Sequence, residues 1–246
     1  MLAVPLITGA ALRTPPDAVR SLLLAGCFVT GYFGFFAASA WLKSPARRRR
    51  RHVVPLVTYA AASASLGIAA LTYAGPSLLG WTPIFAALLI PALVLASRRN
   101  ERALAGGALT TAAACGMTLV LTFDSPITLV AEWPASQQPT LISLALFGYF
   151  FGTVLHVKSL IRERGNTRMA AASTAWHLAW TVATFPAWGA TTSWAWTILF
   201  AVATLRTTAL TRRTRDHPVR PAIIGAIEIA LSVAALTCAL TTGVPD

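Results

Sequence analysis

The sequence predicts an all-α, multi-pass membrane protein, a bundle of about nine transmembrane helices. Three observations carry this. The mean hydropathy is +0.64 and only 11% of residues are charged, where a soluble domain carries roughly a quarter. The apolar residues fall in blocks of about 20, the length that crosses a hydrocarbon core, and not in amphipathic stripes. No segment alternates like a barrel strand, so helices must satisfy the backbone. The whole chain, residues 1–246, reads as one polytopic domain.

Charged or Pro/Gly-rich breaks delimit the spans. Leu2–Leu12 is too short to cross a bilayer and has no preceding basic residue, so it reads as the second half of a helix truncated at Met1. Full spans follow at about 19–42, 53–73, 78–97, 103–123, 140–157, 169–190, 193–210 and 221–241. Pro83, Pro91 and Pro186 are candidate kinks. Asp124–Pro139, with Trp133 among its prolines, reads as an interfacial or re-entrant turn.

Charge placement orients the chain. With the N-terminus inside and the C-terminus outside, all but Arg13 and Arg20 of the 20 basic residues fall in cytoplasmic connections. The other side carries Asp17, Asp124, Glu132 and Asp246, as the positive-inside rule predicts. The Arg47–Arg51 run lies directly between two spans. Its role is therefore topological, with attraction to anionic lipid, and the overall charge of +12 does not signal nucleic acid. Cys27, Cys115 and Cys238 sit singly in apolar blocks with no partner at metal-ligand spacing, so neither a zinc nor a redox motif is expected.

The most charged stretch is VLHVKSLIRERGN, Val154–Asn166. Helical spacing sets His156, Ser159 and Glu163 on one face and Lys158 and Arg162 on its neighbour, with Gly165-Asn166 as the stop. The span is thus expected to leave the membrane as a charged helical stub. Lys158, Arg162 and Arg164 suit a phosphate or carboxylate, with His156 and Glu163 in support.

Two ionisable groups lie deeper. His177 is about 12 Å and Glu228 about 10 Å below the cytoplasmic surface at 1.5 Å per residue. The His177 face continues through Ser173, Thr174, Thr181 and Thr184. Gly225 and Ser232 share the Glu228 face and suit a helix interface. A Glu at that depth costs on the order of 2.5–3.5 kcal/mol unless paired, protonated or wetted, which makes it a site candidate. His177 and Glu228 are accordingly expected to face the interior near each other or near water, and are the acid/base candidates if there is catalysis. Tyr32, Tyr149 and Trp176 are candidate cavity residues; Trp188, Trp194 and Trp196 read as an outer aromatic belt. No nucleotide loop, metal motif or nucleophile motif is present, and no cofactor is expected.

FGTVLHVKSLIRERGN (Phe151–Asn166) with Ser173 and Trp176-His177, GYFGFFAASAWLKS (Gly31–Ser44) and RRNERAL (Arg98–Leu104) resemble the YwiC-like family of bacterial multi-pass membrane proteins. Members begin with a Gln-His-Gly-Ala-Trp-like stretch before the first helix, so the true start is expected upstream of Met1. The resemblance implies a bacterial inner-membrane protein and no particular reaction. Nine spans with polar loops after the second and sixth are also similar to UbiA-type prenyltransferases. Those enzymes hold Mg²⁺ with Asp-rich motifs in these loops, whereas LKSPARRRRR and VKSLIRERGN carry basic residues there. The expected ligand is an anionic lipid or isoprenoid phosphate bound at the cytoplasmic side among membrane lipids. A proton-coupled permease for a small anion and a non-catalytic membrane partner are the other readings.

Overall fold

The computed structural model describes residues 2–99, 103–185, 194–216 and 221–243, with the side chains of 214–216 and 221 excepted. The described chain is helical throughout: α1 (Ala3–Leu12), α2 (Ala18–Lys43), α3 (Arg50–Ala74), α4 (Thr82–Ser97), α5 (Leu104–Thr122), α6 (Pro126–Ala131), α7 (Gln137–Ile161), α8 (Thr167–Ala183), α9 (Trp194–Asp216) and α10 (Pro221–Gly243). A helix occupies each stretch that the hydropathy marks. Six are long and apolar enough to cross a membrane: α2, α3, Pro76–Ser97 (α4 with the 3-10 turn before it), α5, α7 and Ala222–Gly243 of α10. With α1 at 10 residues and α8 at 17, this is a multi-pass membrane protein.

Local chemistry sets the boundaries. Asp17 caps α2 by accepting from the Arg20 amide at 2.9 Å. Gly75, at φ 94°, ends α3. Pro83 falls in the first turn of α4, where its missing N–H costs nothing, and so starts that helix; Pro91 lies inside it. Pro186 lies outside the described residues. The Asp124–Pro139 connection contains the short helix α6, opened by a capping box between Ser125 and Thr128. Ile127 and Trp133 are exposed there.

The helices group into two compact units, residues 9–137 and residues 3–8 with 138–246. In the first, Arg20 is fully buried and caps the C-terminal end of α5. Its Nη1 donates to the Leu121 carbonyl at 2.5 Å; its Nη2 donates to Val120 at 2.9 Å and Phe123 at 3.0 Å. Arg13 donates to the Thr122 carbonyl at 3.1 Å, and both guanidiniums reach Asp124, at 3.0 and 3.4 Å. The last carbonyls of a helix have no partner within it, and two fixed cations meet them here. The two basic residues that break the loop asymmetry are therefore fastenings of α5.

Candidate functional site

The C-terminal unit draws its polar side chains together from four helices. On α7, Tyr149, Thr153 and His156 follow at intervals of four and three, which puts them on one face. Thr153 Oγ1 donates to Glu228 Oε2 at 3.0 Å. Glu228, on α10, forms an ion pair with Arg206 Nη1 of α9. Both side chains are largely buried, at 13% and 6% exposure. Arg206 Nη2 lies 3.5 Å from His177 Nε2 on α8. His177 Nδ1 lies 2.8 Å from the Ser173 carbonyl. A carbonyl only accepts, so Nδ1 carries the proton and Nε2 offers its lone pair to the guanidinium.

Close approach of α7 and α8 makes this possible. A Cβ added to Gly152 would stand 2.7 Å from His177 Nε2, and one on Gly148 would collide with the Trp180 ring. Trp176 Nε1 donates to the Gly148 carbonyl at 2.8 Å. Gly148 and Gly152 thus form a small-xxx-small pair that lets the α8 rings seat against the α7 backbone. Thr181 of the α8 polar face meets Thr204 of α9, hydroxyl to hydroxyl, at 3.3 Å. Trp180 stacks on Phe200 at 5.5 Å between centroids.

Several expected positions differ. Helix α7 runs past the expected span end with Lys158 in its last turn but stops at Ile161, so the charged stub is shorter than expected and Glu163 does not share a helical face with His156 and Ser159. Glu163 instead pairs with Lys158 at 3.4 Å and accepts from Asn166 Nδ2 at 2.7 Å. Gly165 takes φ 87°. Asn166 starts α8 instead of stopping α7: its Oδ1 accepts from the amides of Arg168 and Met169 at 3.1 and 3.2 Å. Arg162, Arg164 and Arg168 are exposed, while His156 is fully buried.

Gly225 is exposed, and an added Cβ would meet nothing within 4 Å, so it is not at a helix interface. Ser232 donates to the Glu228 carbonyl at 2.7 Å. Trp196 is a core residue at 2% exposure, its Nε1 donating to Thr242 Oγ1 at 3.1 Å, and is no belt residue. Trp194 is exposed; Trp188 lies outside the described residues. Tyr149 is fully buried, and Tyr32 packs edge-on against Phe36 of its own helix at 4.7 Å.

The residue missed by the sequence reading is Arg206. Its place within 193–210 was legible, but it was counted with the cytoplasmic loop. The criterion that singles out Glu228, a charge inside an apolar span, applies equally to Arg206. Since α9 runs to Asp216, Arg206 sits ten residues before its end.

Among the described residues, no group of three or more His, Cys, Asp or Glu is placed to hold a metal. No curated protein and no solved structure matches this chain. The family model described as YwiC-like protein matches residues 1–122, which include Gly31–Ser44 and Arg98–Leu104 but not Phe151–Asn166. Over those matched residues, the chain is similar to the YwiC-like family.

Proposed function

We propose that this is a proton-coupled membrane permease for a small anion, with Arg206, Glu228 and His177 as the coupling site. The carrying observation is the largely buried Arg206–Glu228 ion pair, extended to His177. Ionisable groups held within membrane helices are expensive and mark ion and proton pathways. A carboxylate that alternates between pairing with a guanidinium and holding a proton links proton movement to whatever else the guanidinium binds. The pair also answers what offsets the cost of Glu228. Acid/base catalysis by His177 is less well supported, since Ser173 and Arg206 occupy both ring nitrogens. In this reading the helices form about nine spans in the inner membrane, N-terminus inside and C-terminus outside.

The test is proton flux into proteoliposomes loaded with a pH-sensitive dye, driven by gradients of inorganic anions. Wild type should move protons with at least one anion, and Glu228→Gln should abolish the coupling. Wild-type vesicles inert to every anion would sink the reading.

A second reading rests on the exposed Arg162 and Arg164, beside Lys158, at the α7–α8 turn. They suit an anionic lipid or isoprenoid phosphate headgroup at the cytoplasmic surface. Native mass spectrometry would separate the two readings. A bound phospholipid or polyprenyl phosphate lost in Arg162→Ala favours the lipid site; an empty wild type returns the turn to a topological role.

A further inference from the structure

The surroundings of the Arg206–Glu228 pair hold more hydrogen-bonding capacity than their own contacts use. Arg206 Nη1 meets Glu228 and Nη2 meets His177, but Nε has no partner. His156 is fully buried with neither ring nitrogen bonded, within electrostatic reach of Arg206 and His177. Tyr149 Oη is near Ser232 and Thr153 without completing a hydrogen bond of ordinary geometry, and within reach of Glu228 and Arg206. Ser173 Oγ, on a fully buried residue whose carbonyl meets His177, is also without a partner. Buried polar groups are normally satisfied, so a cluster of exceptions on three helices around one guanidinium points to a ligand.

Charge and shape narrow that ligand. Arg206 from α9 pairs with Glu228, and Tyr149 from α7 lies within reach of both; His177 from α8 and His156 from α7 lie on the Arg206 side of the pair. Helix α10 adds no other within two turns. Counting the two histidines as neutral, the site holds one positive and one negative charge. An anion taking the carboxylate's place would leave a buried excess of one negative charge unless Glu228 first gained a proton. The Nε and Nη groups of a guanidinium form a planar fork that matches two coplanar oxygens.

Resting on the permease reading, we propose that the transported species is a small planar monovalent oxyanion that replaces Glu228 at Arg206, with one proton carried on Glu228 per anion. The exchange balances. A proton adds to the Glu228 carboxylate, giving the neutral acid and breaking the ion pair. The anion then takes the freed guanidinium donors, with Tyr149 and His156 as further hydrogen-bonding groups, and release reverses both steps. The site is neutral before the exchange and after it, and one proton moves with each monovalent anion, so transport is electroneutral.

The experiment uses nitrate, chloride and sulfate as probes in dye-loaded proteoliposomes, because their acids do not leak through lipid at neutral pH. The membrane potential is clamped with potassium and valinomycin. Nitrate should drive proton uptake at a rate unchanged by the potential, and faster than spherical chloride or divalent sulfate. Tyr149→Phe, a change too small to prevent folding, should lower the nitrate rate severalfold and leave the coupling ratio at one. Proton flux that follows the potential, or sulfate outpacing nitrate, would overturn the inference while leaving the permease reading intact. Folded wild-type protein inert to all three probes would overturn both.

Discussion

Gly152 and His177 meet where no Cβ fits: one built on Gly152 would stand 2.7 Å from His177 Nε2, the nitrogen that faces Arg206. Alanine there forces either the His177 ring or the α7 backbone to shift. Overpacking of this kind costs about 1–3 kcal/mol. Gly152→Ala should therefore lower the thermal midpoint in detergent and reduce any anion-driven proton flux. Gly225→Ala is the matched control, since an added Cβ there meets nothing within 4 Å. Equal midpoints for the two variants would show that α7 and α8 do not approach as described.

The Arg206–Glu228 pair predicts a non-additive pattern. Either partner alone leaves an uncompensated charge among apolar helices, at a cost of about 3–5 kcal/mol, whereas replacing both with apolar residues of similar volume is often close to neutral. Arg206→Met and Glu228→Leu should each destabilise the protein. The double variant should regain most of that loss and still be unable to couple protons. Additive losses in the midpoints would mean that the two side chains do not share a buried site.

The helices were legible because lipid leaves the backbone one way to satisfy itself, and apolar block length fixes where each helix lies. Glu228 was legible for the same reason: a carboxylate in such a block demands an explanation. Arg206 was passed over because other arginines follow it in the same stretch, and charge counting alone does not tell a buried cation from a topological one. The Gly148–Gly152 pair was present as GYFFG but gains meaning only from the rings of α8 against it. The α7–α8 turn was misplaced because Gly165-Asn166 was read as the end of one helix. A single Asn side chain bonded to two following amides makes it the start of the next.

Asn166 gives a direct test of that turn. Its Oδ1 accepts two otherwise unpaired amides of α8, and loss of such a cap costs about 1 kcal/mol. Asn166→Ala should speed hydrogen exchange at the Arg168 and Met169 amides, while Asn166→Asp, which keeps the acceptor, should leave it close to wild type. Exchange that is unchanged in the alanine variant would return Asn166 to a mere helix stop.

Arg20 and Arg13 separate structure from topology. A basic residue in a loop orients a chain by its charge; a buried guanidinium on helix carbonyls acts by its hydrogen bonds. Arg20 makes three such bonds and is fully buried, while Arg13 makes one and keeps partial exposure. Hydrogen bonds to charged groups contribute about 1.5–3 kcal/mol each, and less where water can replace them. Arg20→Met should thus lower the thermal midpoint well beyond Arg13→Met, with faster hydrogen exchange at the C-terminal turn of α5. Neither should alter which side of the membrane a C-terminal reporter occupies. Removing the Arg47–Arg51 charges should do the reverse, disturbing the reporter's side with little effect on the midpoint of correctly inserted protein. A reporter that switches sides in Arg20→Met would assign that residue a topological role instead.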